Sequence, residues 1–304
     1  MLAVTTTQDF YFLDEDDGSL WKIDEGNGVY YGISFSDDCL YLATRQAAYG
    51  KDRTGQRNII LCYDKKLEII EALSPEMPLR DVHQIAFDEG CLYVCSTFDD
   101  RIGCYNLQLK EWQFWAPFGP EQDLGCDKHH INSITLTADE VLMAGLHPTG
   151  WVARFDKKTR RLTQEKQWLG SQTHNVWLEK SKLYICSSLE GGVRSESGDF
   201  IKIAERSWVR GYCEKNGDRY LGLCETRFRK DRPSSNCCIV QCAPDFRIKR
   251  SFWIPQSGMV HDLRSIDTPD PSHNKKIFSF DRDILDKKFI RIYLENTLGS
   301  FTQE

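Results

Sequence analysis

The chain repeats one phrase. A short apolar strand with a polar residue near its start is followed by a turn containing Gly, Asp or Asn. A second strand rich in Leu, Tyr, Val and small residues comes next. The phrase runs through Gly28–Arg45, Asp81–Thr97, His130–Leu146, Thr173–Ser188, Trp208–Glu225 and Met259–Asp267. Several strands per repeat, at a period of about 40 to 50 residues, specify a β-propeller, in which each blade buries its faces against its neighbours. Six copies predict an all-β, six-bladed β-propeller forming a single domain over residues 1–304, with seven blades as the alternative. First strands are expected to start near Tyr30, Val82, Ile131, His174, Val209 and Val260, and the second strand of the last blade is expected at Lys276–Phe280. The N-terminal strands beginning at Leu2 either complete the last blade or form a short seventh one. An open ring would leave two sheet edges unpaired, so closure is a physical requirement.

Composition narrows the class. The chain is 40% hydrophobic and 28% charged, the profile of a globular protein. A net charge of −6 argues against a general nucleic-acid binder. No apolar run approaches the roughly 18 residues a membrane helix needs. The opening MLAVTTTQDF lacks a basic region followed by an apolar one, so the expected location is cytoplasmic, with no membrane partner. Most of the 12 cysteines sit inside strand patterns, as at Cys91, Cys95, Cys104, Cys186, Cys213 and Cys224, and read as reduced thiols packed as small hydrophobes. The cluster Cys237, Cys238 and Cys242 has no zinc-site spacing.

Propeller topology gathers the starts of the first strands and the second-to-third loops around one mouth. The first strands bring Tyr31, His83, Asn132, Asn175, Arg210 and His261 there, with His130 and His174 one or two positions earlier. The loops add Arg45–Asn58, Thr97–Arg101, His147 and Arg227–Asn236. Five of the seven histidines therefore map to one mouth. Imidazoles from separate strands suit a divalent transition metal, and His83, His174 and His261 are the candidate ligands. The alternative is that they plug the channel as hydrogen-bonded polar groups, or that one acts as a metal-free acid or base oriented by Asp81 or Asp262. Arg210 has the guanidinium geometry to clamp a carboxylate or phosphate, or to pair with Asp262 or Glu225 inside the channel. The two long basic loops suit a lid over an anionic ligand. No Gly-rich phosphate loop and no nucleophile elbow is present.

Four phrases resemble, in order, an uncharacterised family of bacterial β-propeller proteins. They are Leu2–Thr6, Gly32–Arg45, Cys126–Asn132 and Thr173–Trp177, with Arg210–Gly211 also in keeping. The resemblance spans most of the chain. It implies a propeller of about six blades, with no settled activity and a hint of membership in biosynthetic gene sets. At the level of fold alone the chain is similar to the gluconolactonase and strictosidine-synthase propellers. That likeness implies a divalent-cation site of Glu, Asn and Asp residues. Here Asn132 and Asn175 fit such slots, but His83 and His261 stand where carboxylates are expected, which disfavours calcium.

Two classes of function follow. One is an enzyme, a hydrolase, lyase or isomerase acting on a small polar and anionic metabolite, metal-assisted through His83, His174 and His261. In it His83, His130 and Arg210 are catalytic, and Tyr31, Asn132, Asn175, Arg45 and Arg227 bind substrate. The other is a non-catalytic propeller that binds a small-molecule ligand or a protein partner.

Overall fold

The computed structural model describes residues 1–46, 53, 55–119, 125–225, 229–273, 276–294 and 296–297. The chain opens with β1 (Leu2–Thr6), β2 (Asp9–Leu13) and β3 (Ser19–Glu25). The first complete blade is β4 (Val29–Phe35), β5 (Leu40–Arg45), β6 (Asn58–Tyr63) and β7 (Ile69–Leu73). The second is β8 (Val82–Asp88), β9 (Cys91–Ser96), β10 (Arg101–Asn106) and β11 (Glu111–Trp115). The third is β12 (Ile131–Leu136), β13 (Glu140–Gly145), β14 (Trp151–Asp156) and β15 (Leu162–Trp168). The fourth is β16 (Thr173–Glu179), β17 (Lys182–Ser187), β18 (Gly192–Ser195) and β19 (Phe200–Lys202). The fifth is β20 (Ser207–Lys215), β21 (Asp218–Glu225), β22 (Cys237–Cys242) and β23 (Ile248–Ile254).

The last innermost strand, β24 (Val260–Ser265), pairs antiparallel with β1, Leu2 opposite Ser265 and Val4 opposite Leu263. The sixth sheet therefore runs β24-β1-β2-β3, extended outside by β25 (Arg291–Tyr293). The ring has six blades and closes through the N-terminal strands. Lys276–Phe280 is not a strand, contrary to the expectation from the phrase. Phe278 instead buries itself in an apolar cluster with Phe12, Ile266 and Leu285. The physical reason is that β24 already has its hairpin-like neighbour in β1, so the following segment is free to pack below the ring.

Apolar side chains of adjacent blades interdigitate and supply most of the stabilisation, about 1.5–3 kcal/mol for each large side chain fully buried. Val29, Ala43 and Ile60 of the first blade meet Val82, Ile85 and Val94 of the second. Trp177 of the fourth blade stacks on Tyr212 of the fifth at 3.8 Å between centroids. The cysteines are free thiols, mostly buried, as the strand pattern predicts.

Every innermost strand carries a β-bulge at the same height, between Tyr30 and Ile33, Val82 and Ile85, Ile131 and Ser133, His174 and Val176, Val209 and Tyr212, and Thr5 and Thr6 opposite β24. The extra residue breaks the alternation and turns two successive polar positions toward the axis. The second of them bonds the next blade. Gln84 accepts the Ile134 N–H at 2.9 Å, Ser133 that of Asn175 at 2.8 Å, and Asn175 that of Gly211 at 2.8 Å. Asp262 accepts the Ile33 N–H at 3.0 Å, which joins the sixth blade to the first. Gly32 occupies this layer in β4 because a Cβ there would stand 2.5 Å from Ile85 N and 2.6 Å from His83 O. Gly32→Ala is expected to lower stability by about 2 kcal/mol or more, since backbone rather than a flexible side chain must move. Thermal melting checks it, and an unchanged melting temperature would contradict the packing described.

Below the ring, Asp270 is 1% exposed, and its Oδ2 has no hydrogen-bond partner among the described residues. Burial pushes its carboxyl up to about 6. A carboxyl raised from 3.8 in the unfolded chain costs stability as pH climbs from about 4 to 6, and the full cost persists above that. Asp270→Asn keeps an acceptor for Ser272 and Glu214 and removes the charge. Its stability relative to the parent is expected to rise by up to about 3 kcal/mol between pH 4 and pH 8, as followed by denaturant unfolding. A difference that does not vary with pH would contradict it.

Candidate functional site

The first bulge residue of each innermost strand faces the axis. By position before the following apolar residue these are Tyr31, His83, Asn132, His174, Arg210 and His261, the last five from β8, β12, β16, β20 and β24. The ring position in β16 is therefore taken by His174. Asn175 belongs to the layer beneath, where its Oδ1 holds the Gly211 N–H. Above the ring lies a cavity of about 250 Å³. Tyr31, His83, His174 and Arg210 form its floor, and Arg45, Arg53, Asp81, His130, His147, Trp208 and Arg232 are among its walls. A smaller chamber beneath the ring is lined by His261, Gln84, Asn132 and Asp262 among others. Four of the five histidines predicted at the mouth line the upper cavity, and His261 lies in the lower chamber. Arg227 lies outside the described residues.

The walls are held by ion pairs between loops. Asp81, 1% exposed, pairs with Nη1 of Arg45 and, at 3.2 Å, with Nη1 of Arg53. Arg53 also reaches Asp127 Oδ2 at 2.5 Å. Burial alone would raise the Asp81 carboxyl, but the Arg45 and Arg53 guanidiniums outweigh it and hold it well below the usual carboxylate range. The Asp81 carboxylate thus serves the arginines, and its backbone carbonyl, not its side chain, meets His83 Nδ1 at 2.9 Å.

Tyr31 packs between two rings, 4.8 Å from His83 and 4.3 Å from His261 between centroids. The Arg45 and Arg210 guanidiniums lie 5.2 Å and 5.6 Å from its ring centre, within cation–π range. Burial, with the Arg210 charge added, holds His83, His174 and His261 well below their ordinary values, so these imidazoles are neutral at physiological pH. His261 Nε2 is 3.2 Å from Thr7 Oγ1, and its Nδ1 is buried without a hydrogen-bond partner among the described residues. Asn132 donates to Thr173 O at 2.9 Å, which fixes its amide orientation.

His130 pairs with a residue the sequence pattern did not single out. Its Nδ1 lies 2.7 Å from Asp127 Oδ1, which leaves Nε2 toward the cavity. Asp127 sits in a loop with no strand alternation, and its one available signal was the three-residue spacing to His130. Ligand atoms of Asp127, His130 and His147 lie within 4.8 Å of one another, and this is the group of three with metal-ligating geometry among the described residues. His83, His174 and His261 do not form such a group there. Two imidazoles and one carboxylate suit a divalent transition ion.

No family model matches the chain, and no curated protein matches it. Among solved structures it is similar to one titled "Crystal structure of Nidogen/Laminin Complex", with a TM-score of 0.63 and 9% identity over 86% of this chain and 97% of that one. It is also similar to a protein of unknown function from Bacteroides caccae, with a TM-score of 0.59 and 9% identity over 86% and 97% of the two chains. The likeness is one of fold. It agrees with an uncharacterised propeller and carries no activity to this chain.

Removing the Asp81 charge would leave Arg45 buried without its carboxylate. Asp81→Asn is expected to destabilise the fold by about 3 kcal/mol at pH 7. A depressed carboxyl contributes stability above its unfolded value, and that contribution is lost as pH falls toward the folded one. The gap between parent and variant should therefore narrow below about pH 4, as measured by unfolding titrations. A gap that widens on acidification would contradict the ion-pair assignment.

Proposed function

We propose that the protein is an enzyme that binds a small polar anion, a carboxylate or phosphate, in the axial cavity and moves a proton on it through His130. The carrying observation is the charge of the wall. Arg45, Arg53, Arg210 and Arg232 surround about 250 Å³, and Asp81 is the carboxylate among the described residues lining it. Guanidiniums bind planar or tetrahedral oxyanions through paired N–H donors, and a concave site with an excess of one sign concentrates counter-charge. The volume suits a small metabolite rather than a polymer. His130 supports the catalytic half of the reading. The Asp127 carboxylate accepts its Nδ1–H, which orients the ring and leaves Nε2 as the atom that takes a proton from a ligand hydroxyl.

Thermal melting and calorimetry with inorganic phosphate and citrate test the binding half. Both anions are expected to raise the melting temperature, while a tetraalkylammonium salt at equal ionic strength does not. A ligand at 100 times its dissociation constant adds about 2.7 kcal/mol. Arg210→Gln is expected to weaken binding at least tenfold, and anions that leave melting unchanged would remove the reading.

A second reading rests on the three gathered ligand atoms: Asp127, His130 and His147 hold a divalent transition metal. Arg53 would then have to give up its 2.5 Å contact with Asp127. His147 is the least buried of the three, so His147→Ala spares the core. Chelator-treated protein should gain thermal stability on addition of Zn²⁺ or Ni²⁺, and His147→Ala should abolish that gain. No stabilisation by either ion would exclude it.

A further inference from the structure

Two imidazoles in the cavity floor are wired alike, and the wiring restricts the ligand beyond its charge. The residue two before each histidine has a left-handed backbone, Asp81 at φ 50° and Gln172 at φ 53°, which turns its carbonyl toward the ring. His83 Nδ1 is 2.9 Å from Asp81 O and 2.9 Å from Thr97 Oγ1. His174 Nδ1 is 2.9 Å from Gln172 O and 2.9 Å from Ser188 Oγ. In both cases the hydroxyl lies 14 residues after the histidine. Thr97 gives its own proton to Ile131 O and Ser188 gives its own to Val209 O, each at 2.7 Å. A carbonyl only accepts, so Nδ1 carries the hydrogen in both rings. Each Nε2 is therefore a lone pair, and both residues line the same cavity as Arg45 and Arg210.

Resting on the anion reading above, we infer that the ligand carries hydroxyl donors beside its acid group, one for each of the two Nε2 acceptors. A bare oxyanion would meet the arginines but would take water from these lone pairs and return nothing. An unmade hydrogen bond of that kind costs about 1–3 kcal/mol. A site built around hydrogen bonds rejects analogues that lack the matching group far more strongly than an apolar pocket rejects a methylene. The acid group is either phosphate or carboxylate, and the arginine wall accepts both.

Calorimetric titration of the full chain with matched pairs tests this. Glycerol 3-phosphate is compared with propyl phosphate, glycerate with propionate, and inorganic phosphate serves as reference. In whichever series binds, the hydroxylated member is expected to bind at least tenfold more tightly. Nitrogen-15 spectra of histidine-labelled protein should show the Nδ1–H form at His83 and His174. Thr97→Val, which leaves the Asp81 carbonyl in place, should keep that form at His83. Equal affinities within both pairs, or protons on both Nε2 atoms, would overturn the inference while leaving anion binding intact. Failure of every anion to bind, inorganic phosphate included, would overturn the anion reading itself.

Discussion

The rest of the molecule depends on how the last innermost strand grips the first. Asp262 Oδ2 takes the Ile33 N–H, and Arg264 Nε donates to the Ile33 carbonyl at 3.1 Å. Arg264 Nη1 also binds Asp262 Oδ1 at 2.8 Å, so the two side chains act as one unit. Ion pair and peptide together are fully buried, where an unmatched charge or amide would cost several kcal/mol. Asp262 is raised by its burial, with Arg264 opposing that shift. The same strand covers the inner edge of β1, so β24 both completes the sixth sheet and fastens it to the first blade.

The bulge explains how the same strands both close the ring and display a site. An inner strand has no partner on its axial side, so its amides need other acceptors. Inserting one residue supplies two inward polar positions in place of one. The lower position carries Gln84, Ser133, Asn175 and Asp262, which satisfy the neighbouring blade. The upper position is then free to carry Tyr31, His83, Asn132, His174, Arg210 and His261. Bonding to the next blade and facing the axis fall on adjacent residues instead of competing for one. Charge follows the same economy: the Asp81 carboxylate ties Arg45 to Arg53, while the imidazoles stay neutral among these cations and offer lone pairs.

Six blades, the closing role of the N-terminus as one of two options, and the mouth of polar residues were all legible in the repeated phrase. Alternation of apolar residues marks a strand strongly, and six copies reinforce each other. The misplacement of the β16 slot by one residue has a local cause. Thr173 precedes His174 where the other blades have an apolar residue, so the pattern offered no anchor, and a bulge leaves no trace in alternation. Lys276–Phe280 resembled a strand because its apolar spacing reflects packing beneath the ring. Asp127 escaped notice because loops have no period. Thr97 and Ser188 were invisible as partners of His83 and His174, since a hydroxyl 14 residues away acquires meaning only once the hairpin has folded.

The closing pair also sets a schedule for the ribosome. Thr5 and Asp262 are 257 residues apart, so at 5–20 residues per second roughly 10–50 s separate their emergence. Through that interval the inner edge of β1 has yet to meet its partner β24. A cell making this chain must keep that margin from pairing with another copy, and the polar Thr5 and Thr6 along it are a modest safeguard until the final strand arrives.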